Sequence, residues 1–291
     1  MQVADWKSEK GNWETLPPEL IIRLVGDALN IDDFTIHTLN TPYQGEFVYH
    51  IKTPDKKGPI LRIHKDERLS RRNALLLELL EPHDVAPKPL GYGQTKGFHY
   101  CFETFLPGTL FPYEEKKEKE KILLPVAKTL KKFHKVTIRD LSGMDVSSWS
   151  EYFFEFVICL DRIEKYFPGK FTELVLFLKK HVMEPEVLHP VHGSLTWKHM
   201  LFDQGRIRFI NFSQSLLGDG EFDLGALYYQ NSFGNECLDH VVQQTGFDKK
   251  KILYYSLAYG ARNIALAPGE EFLQDDAKRL AELLPEVKKS F

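Results

Sequence analysis

Three short β-rich runs lie close together near the start of this chain, and they decide much of what it can fold into. FTIHTL, GEFVYHIKT and PILRIHK fall between Phe34 and Lys65, separated by the turn-forming stretches TPYQG and PDKKG. Short strands joined by such tight breaks pair as antiparallel neighbours. Ahead of them, Thr15 followed by LPPELIIRLVGDAL reads as an N-cap, a proline-bearing first turn and an amphipathic helix. Behind them, SRRNALLLELLEPH sets leucines on one broad helical face. APKPLGYG breaks that helix, and FHYCFETFL returns as a strand. The expectation is an α+β lobe built on a small antiparallel sheet.

PGTLF, Pro107 to Phe111, is the best junction, giving an N-terminal lobe over 1–107 and a second domain over 108–291. The charge run EEKKEKEK reads as the solvated start of a helix. Past it the pattern is mainly helical: Ser150 to Phe167, Phe171 to Met183, Phe222 to Phe233, and stretches from Asp248 onward. One interruption stands out, a hairpin around Gln204 and Gly205 in HMLFDQGRIRFIN. A small sheet lobe before a larger helical lobe suggests a ligand held between them.

Composition narrows the partners. A net charge of -3 gives no case for nucleic acid or an acidic membrane surface. The N-terminus lacks the apolar core of a signal peptide, and YFFEFVICL is too short to span a bilayer and carries Glu155. Cys101, Cys159 and Cys237 are far apart and odd in number, forming neither a metal spacing nor a disulfide framework. A reducing, cytoplasmic setting is expected, with no nucleic-acid and no membrane partner.

The richest passage is VHGSLTWKHMLFDQGRIRFINFSQS, Val191 to Ser215. With GDGEFDLG from Gly218 to Gly225 behind it, this order resembles the aminoglycoside phosphotransferase and choline kinase family, whose loop reads H-G-D-x-x-x-x-N followed by a hairpin and I-D-F. Other matches agree: PILRIHK with Arg62, FHYCFETFLPGTL at the lobe hinge, and LKKFHKV with His134. The resemblance runs from about Phe34 to Leu227. It implies a two-lobed, protein-kinase-like fold with a small antiparallel-sheet N-lobe and a larger, mainly helical C-lobe. It further implies phosphate contact from Arg62, adenine contact from the backbone of Phe102, Glu103 and Thr104, and a phosphate-covering turn at Gly45. His192 is implied as the brace of the loop.

At three positions the chain departs from that pattern. Ser194 stands where the family has its aspartate base, His199 where it has a metal-binding asparagine, and Asn211 where it has a metal-binding aspartate. A hydroxyl cannot take a proton near neutral pH. Imidazole suits zinc or copper better than magnesium, and a carboxamide lacks charge. Arg72 or Asn73 stands where an acid would pair with Arg62. The expectation is a pseudokinase acting by binding an unknown small molecule or protein partner. Its alternative is an active ATP-dependent O-phosphotransferase for a small hydroxylated compound, with rearranged residues. No cofactor follows with certainty; ATP stays open, and magnesium is expected weak or absent. Plainer readings attach to the remaining candidates: Trp197 packs beneath the loop, Lys198 is solvated, Asp219 and Asp223 hold the loop and the next helix, and Tyr228, Tyr229, Tyr255 and Tyr259 face a core.

Overall fold

A computed structural model describes residues 18–39, 46–54, 58–110, 116–136, 153–231, 233–266 and 274–291. Thr15 and Gly45 lie outside these residues. Two compact units emerge, Met1–Pro107 and Gly108–Phe291.

In the first unit, helix α1 (Pro18–Leu29) precedes a five-stranded antiparallel sheet ordered β1-β2-β3-β5-β4. The strands are β1 (Thr35–Thr38), β2 (Glu46–Lys52), β3 (Ile60–His64), β4 (Pro89–Thr95) and β5 (Phe98–Glu103). Helix α2 (Glu67–Leu80) lies between β3 and β4 in sequence, its first turn capped by the Asp66 side chain. The strand register splits the sheet into two unlike faces. Phe47, Tyr49, Ile51, Leu61, Ile63 and Phe102 alternate onto one face and form a core with Leu20, Ile21, Leu24 and Val25 of α1. The opposite face receives Glu46, Arg62, His64, Cys101 and Glu103, and it is polar yet buried. Asn73 of α2, fully buried, lies beside Cys101 and Glu103 on that face.

The second unit is mainly helical: α3 (Lys116–His134), α4 (Leu160–Tyr166), α5 (Thr172–Lys180), α6 (Glu221–Asn231), α7 (Asn235–Thr245), α8 (Lys249–Leu266) and α9 (Gln274–Lys288). Two small sheets complete it. Strand β7 (His189–Val191) pairs with β10 (Leu216–Gly218), while β6 (Thr109–Leu110), β8 (Met200–Asp203) and β9 (Arg206–Phe209) form the other. Helices α6 and α8 are buried on all sides over Phe222–Tyr229 and Ile252–Ala261, stretches that are largely apolar, as interior helices are. They approach closely because Gly225 faces the backbone of Tyr255 and Ser256, and Gly260 faces the ring of Tyr229.

Most expected elements are present, with informative differences. The Gln204–Gly205 turn has φ of 47° and 80°, the twist that closes a two-residue hairpin. The segment read as a break, APKPLGYG, instead enters β4, an edge strand where proline is tolerated at the first position. The helix expected over Ser150 to Phe167 is divided within its described part by Cys159 at φ 56°, between a π-helical turn, Phe153–Ile158, and α4. Helix α7 was not anticipated. No described helix is long and apolar enough to cross a membrane.

Candidate functional site

The loop from His192 to His199 is positioned by its flanks. Pairing of Val191 with Leu216 in β7 and β10 brings the chain before the loop beside the chain after the hairpin. Pairing of Met200 with Phe209 in the hairpin then sets His199 next to Ile210 and Asn211. Gly193 makes the entry turn at φ 75°, and a Cβ there would stand 2.2 Å from the carbonyl oxygen of Gln214. No other residue fits that turn.

The loop backbone is held from several sides. The carboxylate of Asp223, buried at the start of α6, accepts from the N–H groups of His192 and Gly193 at 2.9 and 3.1 Å. His134, at the end of α3, adds a longer contact to the same carboxylate at 3.4 Å. Gln230 donates to the carbonyl of Leu195, Arg262 to that of Gly193, and Ser215 to that of His192. His192 donates from Nε2 to the carbonyl of Ile210 at 2.9 Å. Trp197 is buried and bonds through its indole N–H to Asn231, while Lys198 is exposed. Asp219 lies at the start of α6, held by Lys251 at 2.9 Å and by the hydroxyl of Tyr255 at 3.1 Å. The four tyrosines are buried.

Inside this frame the three departing positions are joined by hydrogen bonds. A carbonyl can only accept, so His199 donates from Nδ1 to the carbonyl of Ser194, at 2.7 Å. Nε2 of the neutral ring is then an acceptor, and the Asn211 amide donates to it at 3.1 Å. Asn211 Oδ1 in turn accepts from the hydroxyl of Ser213 at 2.9 Å. Asn211 adopts φ 67°, a left-handed conformation that asparagine tolerates better than most residues. The rings of His192 and His199 stack at 5.4 Å. His189 is turned elsewhere, its Nδ1 donating to the carbonyl of His134, and no group of three or more His, Cys, Asp or Glu side chains gathers as a metal site among the described residues.

The remaining predicted residues lie in the first unit. Arg62 is 5% exposed and donates from Nε to Glu103 at 2.8 Å and from Nη1 to Glu46 at 2.7 Å. Burial works against its charge, but Glu103 and Glu46 outweigh that and hold its pKa above the usual arginine value. Phe102 points into the α1 core. The backbone N–H of Thr104 donates to the carbonyl of Lys88 at 2.8 Å, and its hydroxyl accepts from the N–H of Lys88. The Cys101 thiol is pushed up to about 12 by burial, with Glu103 adding to the effect, and is unreactive as a nucleophile.

Neither a protein-family model nor a curated protein matches the sequence. Solved structures do match. A thermostable mutant of aminoglycoside phosphotransferase APH(4)-Ia, in ternary complex with ADP and hygromycin B, superposes with a TM-score of 0.70 at 14% identity, covering 92% of this chain and 98% of that one. This chain has the aminoglycoside phosphotransferase fold. Spectinomycin phosphotransferase APH(9)-Ia with ADP and spectinomycin shares the same phosphotransferase fold at a TM-score of 0.63 and 16% identity, covering 91% and 93%. Amicoumacin kinase hAmiN, bound to AMP-PNP, Ca2+ and Ami, does so at 0.65 and 14%, covering 94% and 93%.

Sequence reasoning missed several residues within the phosphotransferase fold. Glu46 follows directly on the sequence TPYQG, and only the β2–β3 register brings it to Arg62. Ser213 was visible in INFS, but its bond to Asn211 depends on the left-handed backbone there. Arg262 and Gln230 reach the loop from distant helices and leave no local signal.

Proposed function

We propose that this chain is a phosphotransferase-fold protein that performs no metal-dependent phosphoryl transfer and acts by binding a small molecule or protein partner. The observation that carries this reading is the bond chain Ser213–Asn211–His199–Ser194. Magnesium wants hard, usually anionic oxygen ligands, and none of these four side chains is anionic. Asn211 Oδ1 already accepts a hydrogen bond from the Ser213 hydroxyl, and the His199 Nε2 lone pair accepts from the Asn211 amide. The residues therefore do not fit a magnesium ion. Ser194 supplies no base, a loss of about 10²- to 10⁴-fold in transfer rate.

A second reading, an active O-phosphotransferase for a small hydroxylated compound, draws on the bracing of the loop by Asp223, Gln230 and Arg262. Phosphoryl transfer depends mainly on positioning and electrostatics, which a braced loop can still offer. It is the weaker reading because the electrostatic part is missing. Incubation with labelled ATP, magnesium and a panel of hydroxylated and amino compounds separates the two. The expected result is no transfer above background. Turnover by the unmodified protein that Asn211→Ala abolishes would establish the second reading instead.

A further inference from the structure

The Arg62 guanidinium of the first unit is already served by anions. Its Nε and Nη1 each hold a carboxylate oxygen, one from β5 and one from β2, the strands on either side of its own. Carboxylate and phosphate present the planar guanidinium fork with the same kind of partner, in-plane oxygens that accept charge-assisted bonds. Two carboxylates already occupy this one cation, with His64 Nε2 a further 3.7 Å from the same Glu46 oxygen, so an incoming anion has to displace a carboxylate to reach it. The two arms differ in how firmly they are held. The Glu103 side chain is 2% exposed, whereas that of Glu46, at the first residue of β2, is 14% exposed. Glu46 is the arm that can leave.

A second feature lies at the Glu103 end of the sheet, away from Glu46. His50, paired across to Ile60 and so in line with Glu103, stacks face to face on Phe105 with centroids 4.5 Å apart and planes 14° from parallel. Internal carboxylates thus occupy the cation, and the ring of His50 is itself covered by Phe105.

We propose that Glu46 is an internal latch: with Glu103 it occupies Arg62 as a phosphate would, and the first unit takes up a phosphate-bearing ligand only when the Glu46 arm is released. The inference rests on the proposed function in treating this unit as a binding element. The probe is inorganic pyrophosphate in EDTA, titrated calorimetrically into the whole protein. Glu46→Gln keeps the shape of the arm and removes its charge. The variant is expected to bind while the unmodified protein shows no saturable binding, a gain of at least about tenfold in affinity, and adding Arg62→Gln is expected to abolish that gain. Equal affinity in both proteins, or no binding by a folded Glu46→Gln, overturns the latch.

Should the variant fail to fold, the Arg62 Nε–H resonance of the unmodified protein decides. It is expected to stay unmoved by pyrophosphate, and a saturable shift overturns the proposal. The two readings fail separately. Magnesium- and ATP-dependent transfer acquired by Glu46→Gln would uphold the latch and sink the non-transferring reading. Tight pyrophosphate binding by the unmodified protein without any transfer would do the reverse.

Discussion

Arg62, Asp223 and Gly193 show how single residues set this structure. Arg62 neutralises two carboxylates in a place nearly closed to water. Replacing it with methionine strands both charges, and removing one partner from a buried pair costs about 3–5 kcal/mol. Urea unfolding of Arg62→Met should show a loss of that size; a loss below 1 kcal/mol, on the scale of an exposed pair, would mean the pair is solvated. At Gly193, alanine meets both an unfavourable φ and the Gln214 carbonyl, so Gly193→Ala should lose about 1–3 kcal/mol and disturb the loop. Circular dichroism melts, with fluorescence followed in parallel in a form that keeps Trp197 and has its other three tryptophans replaced by phenylalanine, would register both effects. A further effect is visible in pH. Burial and the neighbouring Asp219 carboxylate push Glu221 up to about 7, from 4.5. Between these values the folded protein keeps a proton that the unfolded chain has lost, so this contribution favours folding below pH 4.5 and disappears as pH rises toward 7. Burial of His64 and His134 acts in the opposite direction, so the test is by difference: the stability of the unmodified protein relative to Glu221→Gln should fall with rising pH across that window.

At the level of elements, the crossing of α6 and α8 governs how the loop is held, since α6 carries Asp223 and Gln230 and α8 carries Arg262. Gly225 makes the crossing possible: a Cβ there would lie 2.7 Å from the Tyr255 Cβ and 2.9 Å from the Ser256 nitrogen. Backbone atoms cannot move aside as a side-chain end can. Gly225→Ala should therefore destabilise by about 1–3 kcal/mol, although alanine in an isolated helix would gain close to 1 kcal/mol. A stabilised variant in thermal melts would show that the helices are further apart than described. The element pattern was largely legible from sequence because its signals are local. Apolar period fixed α1 and α2, and Gly205 with Gln204 fixed the hairpin. Strand β4 was not, because Pro89, Gly91 and Gly93 speak for a break and only pairing with β5 makes a strand of them. The left-handed Cys159 had no sequence signal at all.

Over the whole molecule, the order of motifs along the chain made the phosphotransferase fold legible, although identity to the superposed structures is only 13–16%. Fold survives such divergence because it rests on burial pattern and backbone support, which His192, Gly193 and Asp223 supply here. What the sequence could not show was how the altered positions satisfy one another. Ser194, His199 and Asn211 stood out one by one as departures. Only the folded chain places the His199 ring between the Ser194 carbonyl and the Asn211 amide. The same holds in the first unit, where Arg62 was legible as a cation and its two carboxylate partners were not.

The most direct test concerns the divalent ion. Manganese, titrated into the protein with ADP and followed by electron paramagnetic resonance, reports binding through loss of the free-ion signal. The account predicts the same free-ion signal as ADP alone gives in the absence of protein. A stoichiometric protein–manganese–ADP complex that disappears in Asn211→Ala would contradict it.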